Sequence, residues 1–209
     1  MGIDGIRTAA AGVDADVVHV GGIAGIAQFA EINNSFVSGM NIDTTSYAGF
    51  LGVGGLAGKS SYSRFVNCYA EGTINASSQG VGGIIGYDDG NTLIQNSYAN
   101  VNIFNTTSRT GGIAGNYNGM ENNPNNALFV GELQSGKIDD VYRIVGNLQL
   151  KTNNYAFEEQ HLNGFPSTKT TGEVLLSRED LNKKETYVEL LEFDENIWDF
   201  SQVGNDGLP

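Results

Sequence analysis

The sequence predicts an all-β chain, a parallel β-helix of about five rungs with a short, partly helical C-terminal cap. Three observations carry this. A six-residue motif recurs as Val20-Gly21-Gly22-Ile23-Ala24-Gly25, Val53-Gly54-Gly55-Leu56-Ala57-Gly58, Val81-Gly82-Gly83-Ile84-Ile85-Gly86 and Thr110-Gly111-Gly112-Ile113-Ala114-Gly115, with a worn fifth copy at Val141-Tyr142-Arg143-Ile144-Val145-Gly146. Each copy leads to a second segment: Asn34-Ser35-Phe36-Val37, Asn67-Cys68-Tyr69-Ala70, Asn96-Ser97-Tyr98-Ala99, Asn126-Ala127-Leu128-Phe129 and Asn153-Asn154-Tyr155-Ala156. The spacing is regular, since Gly21, Gly54, Gly82 and Gly111 step by 33, 28 and 29 residues and Tyr142 follows 31 later. Self-similarity at such a period is the mark of stacked repeats.

The first strand of each unit is set by the β-branched column Val20, Val53, Val81, Thr110 and Val141 and the aliphatic column Ile23, Leu56, Ile84, Ile113 and Ile144. Short runs of this kind, bounded by Gly and Asn, read as strands. Positions three apart face opposite sides of a flat strand. A bend at the Gly pair is therefore expected, turning both columns inward. In the second strand the Asn column precedes an aromatic or Leu column by two residues. Asn tolerates left-handed backbone and, stacked in register, can form an amide ladder. Ile32, Phe65 and Ile94 precede the aromatic column, with Pro124 breaking the fourth unit, and Ile42, Ile74, Ile103 and Leu133 follow it. One unit cannot bury its own apolar face, whereas stacking buries a continuous core. A β-sandwich or prism of antiparallel hairpins is the competing architecture, and it predicts no identity of columns between units.

The array is expected to fill residues 1–156 and a capping segment residues 157–209, where 12 of the 24 acidic residues lie and no repeat is found. Phe157 to Gly172, containing Pro166, reads as a loop. Ser177 is placed to cap a helix with Glu179 and Asp180 in its first turn. Leu181, Tyr187, Leu190 and Leu191 mark its apolar face, and Phe193, Ile197, Trp198 and Phe200 form an apolar cluster. An open β-helix end must be covered, so Trp198 is expected against the fifth repeat, near Ile144 or Tyr155.

Composition narrows the function. Of 209 residues, 40% are hydrophobic and 17% charged, which suits a folded chain. The 29 glycines are periodic and so report a repeated backbone need. A formal net charge of −13 argues against partnership with nucleic acid or anionic lipid. Membrane insertion is not expected, because no window of about 18 apolar residues occurs. Gly12 and Gly72 precede Gly22 and Gly82 by the same interval, which suggests a start inside a repeat and hence an excised fragment, expected to be monomeric. Cys68 is the single cysteine. It stands in a small-residue column with Ser35, Ser97, Ala127 and Asn154 and reads as a packing residue rather than a reactive thiol.

The motif Val-Gly-Gly-(Ile/Leu)-x-Gly with its later Asn-Ser-Tyr-Ala resembles the GLUG repeat of bacterial surface proteins, notably the non-catalytic region upstream of the catalytic domain in zinc metalloproteases of the IgA1-protease (M26) type. The likeness covers residues 20–156. The tail Asn196-Ile197-Trp198-Asp199-Phe200 with Gly207-Leu208-Pro209 is also similar to the end of such arrays. The resemblance implies a secreted or cell-surface module that binds substrate or acts as a spacer. It equally implies an adhesin-type module that takes a host protein or glycan with no enzyme attached. A polysaccharide-active enzyme is a third possibility, since parallel β-helices host such chemistry. The family's His-Glu-x-x-His is absent, so no catalytic residue is carried over.

The residues themselves offer no catalytic, metal or cofactor set. His19 and His161 are each alone, whereas a zinc hydrolase needs paired ligands. Gly54 to Ser60 imitates a phosphate loop, but Val53 stands where its first Gly is required and no helix is expected to follow. Asp88-Asp89-Gly90-Asn91 could offer oxygen ligands to calcium, yet lacks further acids. Ser60, Ser61 and Ser63 have no neighbouring histidine. The remaining candidate is a binding edge formed by the segments after each third Gly: Tyr62 and Arg64, then Tyr87, Asp88 and Asp89, then Tyr117, Asn118 and Asn122. Stacking would align these segments, and their side chains suit recognition of protein or glycan.

Overall fold

The structure is a computed structural model that describes residues 2–4, 7–9, 17–45, 50–107, 109–118, 124–135, 141–147, 153–158, 162–163, 172–205 and 207–209. The chain coils as a β-solenoid in which each rung contributes to three parallel sheets. Sheet A runs through Gly2–Asp4, Phe36–Asp43, Tyr69–Asn75, Leu93–Thr106, Asn125–Phe129, Asn154–Phe157 and Val174–Leu176. Sheet B stacks Val17–Gly21, Phe50–Gly54, Gly80–Gly82, Thr110–Gly111 and Val141–Tyr142. Sheet C stacks Ala24–Gln28, Ala57–Ser61, Ile85–Asp88 and Ala114–Asn116, and a bridge from Ala114 to Val145 continues it into the fifth rung.

The columns of the sequence are the register of these sheets. Val20, Val53, Val81, Thr110 and Val141 are successive partners in sheet B. Phe36, Tyr69, Tyr98, Leu128 and Tyr155 are successive partners in sheet A, as are Ile42, Ile74, Ile103 and Leu133. At the corner, the amides of Ile23, Leu56, Ile84 and Ile113 donate to the carbonyls of Leu56, Ile84, Ile113 and Ile144 at 2.8–2.9 Å. The aliphatic column therefore lies one residue above another, and antiparallel hairpins between units do not occur among the described residues.

The Gly pair is where sheet B turns into sheet C, which is how two columns three apart both reach the interior. A Cβ on Gly55 would lie 2.1 Å from the Gly83 carbonyl oxygen and 2.7 Å from the Ala70 Cβ. The corners of successive rungs thus touch backbone to backbone, and a side chain there forces the rungs apart. The fifth unit carries Arg143 at this position. Its own carbonyl lies against Gly112, and the next segment in space is the tail, whose Glu173 carboxylate stands 3.9 Å from the Arg143 Nε. Both side chains are buried. Burial and this partner act oppositely on the guanidinium pKa, and burial prevails and lowers it.

The interior is one apolar column from Val20 and Val37 to Val145 and Ala156. Asn34, Asn67, Asn96 and Asn126 all have positive φ, between 48° and 53°, and turn the chain within sheet A. The amide ladder is present in two steps, Asn67 Nδ2 to Asn34 Oδ1 at 3.1 Å and Asn126 Nδ2 to Asn96 Oδ1 at 3.2 Å. Asn96 directs its own amide to the Glu192 carbonyl of the tail. Cys68 is buried, its Sγ 3.2 Å from the Ile32 carbonyl oxygen, and burial lifts its pKa to about 11. It is a packing residue.

The tail departs from the expectation. Trp198 does not meet the core of the fifth repeat at Ile144. It lies on the outer face of sheet A, where the rings of Phe36, Tyr69 and Tyr98 stack at 4.7 and 4.8 Å with interplanar angles of 2° and 3°. Its centroid is 6.0 Å from Tyr69, 5.6 Å from Tyr98 and 4.4 Å from Phe193. Tyr155 belongs to this outer cluster, with Tyr98, Leu128, Tyr187 and Leu191. The reason is amphipathic: the aromatic column points away from the interior, so a flank as well as an end needs covering. The end is met separately by Val174–Leu176, which pairs in parallel with Asn154–Phe157. The predicted helix shrinks to Arg178–Leu181, capped by a reciprocal Ser177–Asp180 box, followed by a wider helical turn at Thr186–Leu190. Leu190 and Ile197 are exposed, against expectation. Pro166 and His161 lie outside the described residues.

Candidate binding groove

Sheet C presents an outward column of Ile26, Lys59, Tyr87 and Asn116, paired rung to rung. Beside it in sheet B runs the column His19, Gly52 and Gly80. Arg109 continues this column, since Thr110 pairs with Val81 and the Arg109 carbonyl accepts from the Val81 N–H. Both glycines are crowded by the adjoining strand, since a Cβ on Gly52 would lie 2.5 Å from the Gly58 carbonyl oxygen and one on Gly80 3.0 Å from that of Gly86. At the far end of these columns opens a groove of about 420 Å³ lined by Tyr87, Arg109, Asn116, Asn118, Tyr142 and Asn147.

The groove is held by amides. Asn147 donates to Asn116 Oδ1 and accepts from the Tyr117 N–H, both at 2.8 Å. Asn118 donates to the Asp88 carbonyl at 3.1 Å. Arg109 is exposed and has φ 49°, a left-handed conformation that costs a non-glycine residue about 1–2 kcal/mol. It makes no ion pair among the described residues. Lys59 lies 5.9 Å from the Tyr87 ring centroid and pairs with Asp89 at 3.0 Å.

The predicted edge residues separate. Tyr87 lines the groove. Tyr62 is 55% exposed and stacks at 5.2 Å on Phe29, itself 73% exposed, forming a separate aromatic ledge. Arg64 is exposed on another strand, Arg64–Val66 of sheet A. Asp89 is occupied by Lys59. Asp88 and Tyr117 are fully buried and do not belong to an exposed edge. Strand alternation explains Asp88: it follows the outward Tyr87 and so turns inward, in register with Ser60. Tyr117 donates its hydroxyl to the Thr92 carbonyl in the same interior layer, where Ser60 and Thr92 hydroxyls lie 2.8 Å apart. Asp88 and Asp89 therefore do not converge on a cation. Lys59 sits within strand Ala57–Ser61, which runs on where a phosphate loop would open a helix. His19 is half-buried. Its Nδ1 accepts from the Gly52 N–H at 3.2 Å, and burial, then Lys59, lowers its pKa, with Asp89 opposing. Asn122 lies outside the described residues.

Arg109, Asn147 and Tyr142 were not expected at the edge. The available signal was a departure within a column, an arginine where two sister rungs have glycine.

Burial raises the Asp88 pKa above its ordinary 3.8, opposed by hydrogen bonds from Thr92 and Gly90. An acid whose folded pKa is raised is most compatible with folding when protonated, and it destabilises increasingly as pH climbs above 3.8. Asp88→Asn should therefore gain melting temperature relative to the parent at pH 7, and lose that advantage as pH falls toward 4. Paired thermal melts across this range check it. A difference independent of pH would count against a buried, destabilised carboxylate.

Residues 51–75 match the family model described as the GLUG motif. The chain carries a GLUG repeat. The match spans one rung from the glycine corner at Gly54-Gly55, through Asn67 and Tyr69, to Asn75 at the end of its sheet A strand. The neighbouring rungs repeat its register. No curated protein and no solved structure matches the chain.

Proposed function

We propose that this GLUG array is a non-catalytic repeat module of an exported bacterial protein, serving as the substrate-binding or spacer region of an IgA1-protease-like zinc metalloprotease. The observation that supports it most is the parallel register kept from rung to rung in sheets B and C, with a largely apolar interior and outward side chains held in lines along the stack. Such a stack keeps its length and presents a surface, which is what a spacer or docking region requires. Cys68 is packed into the interior, Asp88 and Tyr117 are tied into the scaffold, and His19 holds a backbone amide. The chain is expected to bind protein or glycan as a monomer, at the cell surface or outside it.

The test is incubation of the purified chain with peptide and polysaccharide panels, read by mass spectrometry. Products at background level are expected. Cleavage that follows the protein through purification and is abolished by unfolding it would overturn the reading. Sequencing downstream of the array separates the metalloprotease context from an adhesin. An encoded His-Glu-x-x-His supports the first, and a reading frame without it supports the second.

A further inference from the structure

We propose that the groove lined by Tyr87, Arg109, Asn116, Asn118, Tyr142 and Asn147 binds an acidic saccharide, with Arg109 taking the carboxylate and the Asn118 amide taking a ring hydroxyl. The assignment rests on reading the chain as a non-catalytic binding module.

Three observations converge. The groove has a volume of about 420 Å³, room for a sugar residue or two, and no lining residue is aliphatic or acidic. Peptide recognition leans on apolar pockets, whereas amides, tyrosines and one cation suit hydroxyl-rich, anionic rings. Arg109 is a cation without an ionic partner among the described residues, in a chain of net charge −13. Its planar fork matches a carboxylate in a way an ammonium does not.

The backbone at Arg109 supplies an independent argument. The scaffold places glycine at this column position in two preceding rungs, Gly52 and Gly80. Neither glycine is at positive φ, whereas arginine stands there at φ 49°, so the left-handed backbone is particular to this rung and would cost a glycine nothing. Strain kept at one rung of a repeat points to a use for that side chain. The amides are also positioned in advance. The Asn147 side chain is held at both ends, by Asn116 and by the Tyr117 N–H. Asn116, itself 3% exposed, serves as the groove wall that fixes Asn147, while exposed Asn118 keeps its Oδ1 without a hydrogen-bond partner among the described residues and can meet a hydroxyl.

The experiment is calorimetric titration of the whole chain at low ionic strength with 3′-sialyllactose, lactose and hexaglutamate. Saturable binding of sialyllactose is expected, with lactose at least about tenfold weaker, the difference of one charge-assisted pair. Arg109→Gly should lose at least about tenfold in sialyllactose affinity while melting no lower than the parent, because the strain is relieved. Arg109→Lys should fall between the two. A merely structural role for Arg109 predicts the reverse, lower melting with unchanged binding. The assignment is overturned if sialyllactose does not bind, if lactose binds equally, or if Arg109→Gly binds as the parent does. Hexaglutamate binding as tightly as sialyllactose, and lost in Arg109→Gly, would make the groove a peptide site and overturn it too. Release of sialic acid during titration would sink the non-catalytic reading, whereas absence of binding would sink this assignment alone.

Discussion

Trp198→Ala should destabilise the protein by about 3–5 kcal/mol, the usual cost of truncating a buried Trp. In a chain of this size that corresponds to a fall in melting temperature of roughly 6–20 °C. Trp198 is 6% exposed and joins two groups, Phe193 of the tail and the stacked Tyr69 and Tyr98 of sheet A. Its removal uncovers a column of aromatic rings on the flank, so the variant should also self-associate. Sedimentation velocity and thermal circular dichroism read the two effects. Trp198→Phe separates packing from polarity. The indole Nε1 is buried with no hydrogen-bond partner among the described residues, so phenylalanine keeps a ring against Phe193 and removes an unmet donor. A much smaller loss is expected for it. If Trp198→Ala melts as the parent does, the tail is not docked on the flank in solution.

Gly83→Ala is expected to be as damaging by a different route. The new Cβ would stand 2.2 Å from the Gly112 carbonyl oxygen and 2.5 Å from the Ala99 Cβ. No rotamer relieves this, because the first obstacle is the backbone of the next rung and the second is a buried methyl. Overpacking typically costs ~1–3 kcal/mol and sometimes more. A backbone obstacle puts this substitution at or beyond the upper figure, about 6–12 °C of melting temperature. Gly80→Ala is the matched control, since its nearest obstacle, the Gly86 carbonyl oxygen, lies at 3.0 Å and the next at 3.5 Å. Equal losses in the two would mean that chain entropy, rather than contact between corners, governs these glycines.

Why the stack was readable and the tail was not follows from the kind of contact each makes. In a parallel solenoid, residues one repeat apart become neighbours in space, so a column in an alignment is already a contact. Val53 beneath Val81 and Ile74 beneath Ile103 needed only the period. The corner was readable because glycine there has a steric cause that the sequence states outright. Trp198 has no periodic counterpart. An apolar cluster announces that something will be covered, but not which face, and the aromatic column carried no sign that it pointed outward. The groove was half readable. Tyr87, Asp88 and Tyr117 were all assigned to the edge because they follow a third Gly, and strand alternation turns only Tyr87 of the three outward. Arg109 was passed over because repeats are found by likeness, and its interest lies in being unlike its column.

The side-lying tail has a further consequence. Bonds between rungs of the stack join residues about 25 to 36 positions apart, as between Tyr117 and Thr92 or Cys68 and Ile32. A linear array tied only to its nearest neighbours tends to fray one unit at a time. The tail adds ties of another reach: the Tyr98 hydroxyl donates to the Pro209 carbonyl across 111 positions and the Asn96 amide to the Glu192 carbonyl across 96. It lies across several rungs at once, like a splint. Loss of one middle rung strips contacts from the splint, and loss of the splint loosens several rungs together. The array is thereby coupled into a cooperative unit, whose melting should be a single transition rather than a staircase. The same splint fixes the count of rungs beneath it, for an inserted repeat between Tyr69 and Tyr155 would shift its anchor points by one strand spacing, about 4.8 Å. Growth of this array by internal duplication therefore demands a tail of matching length.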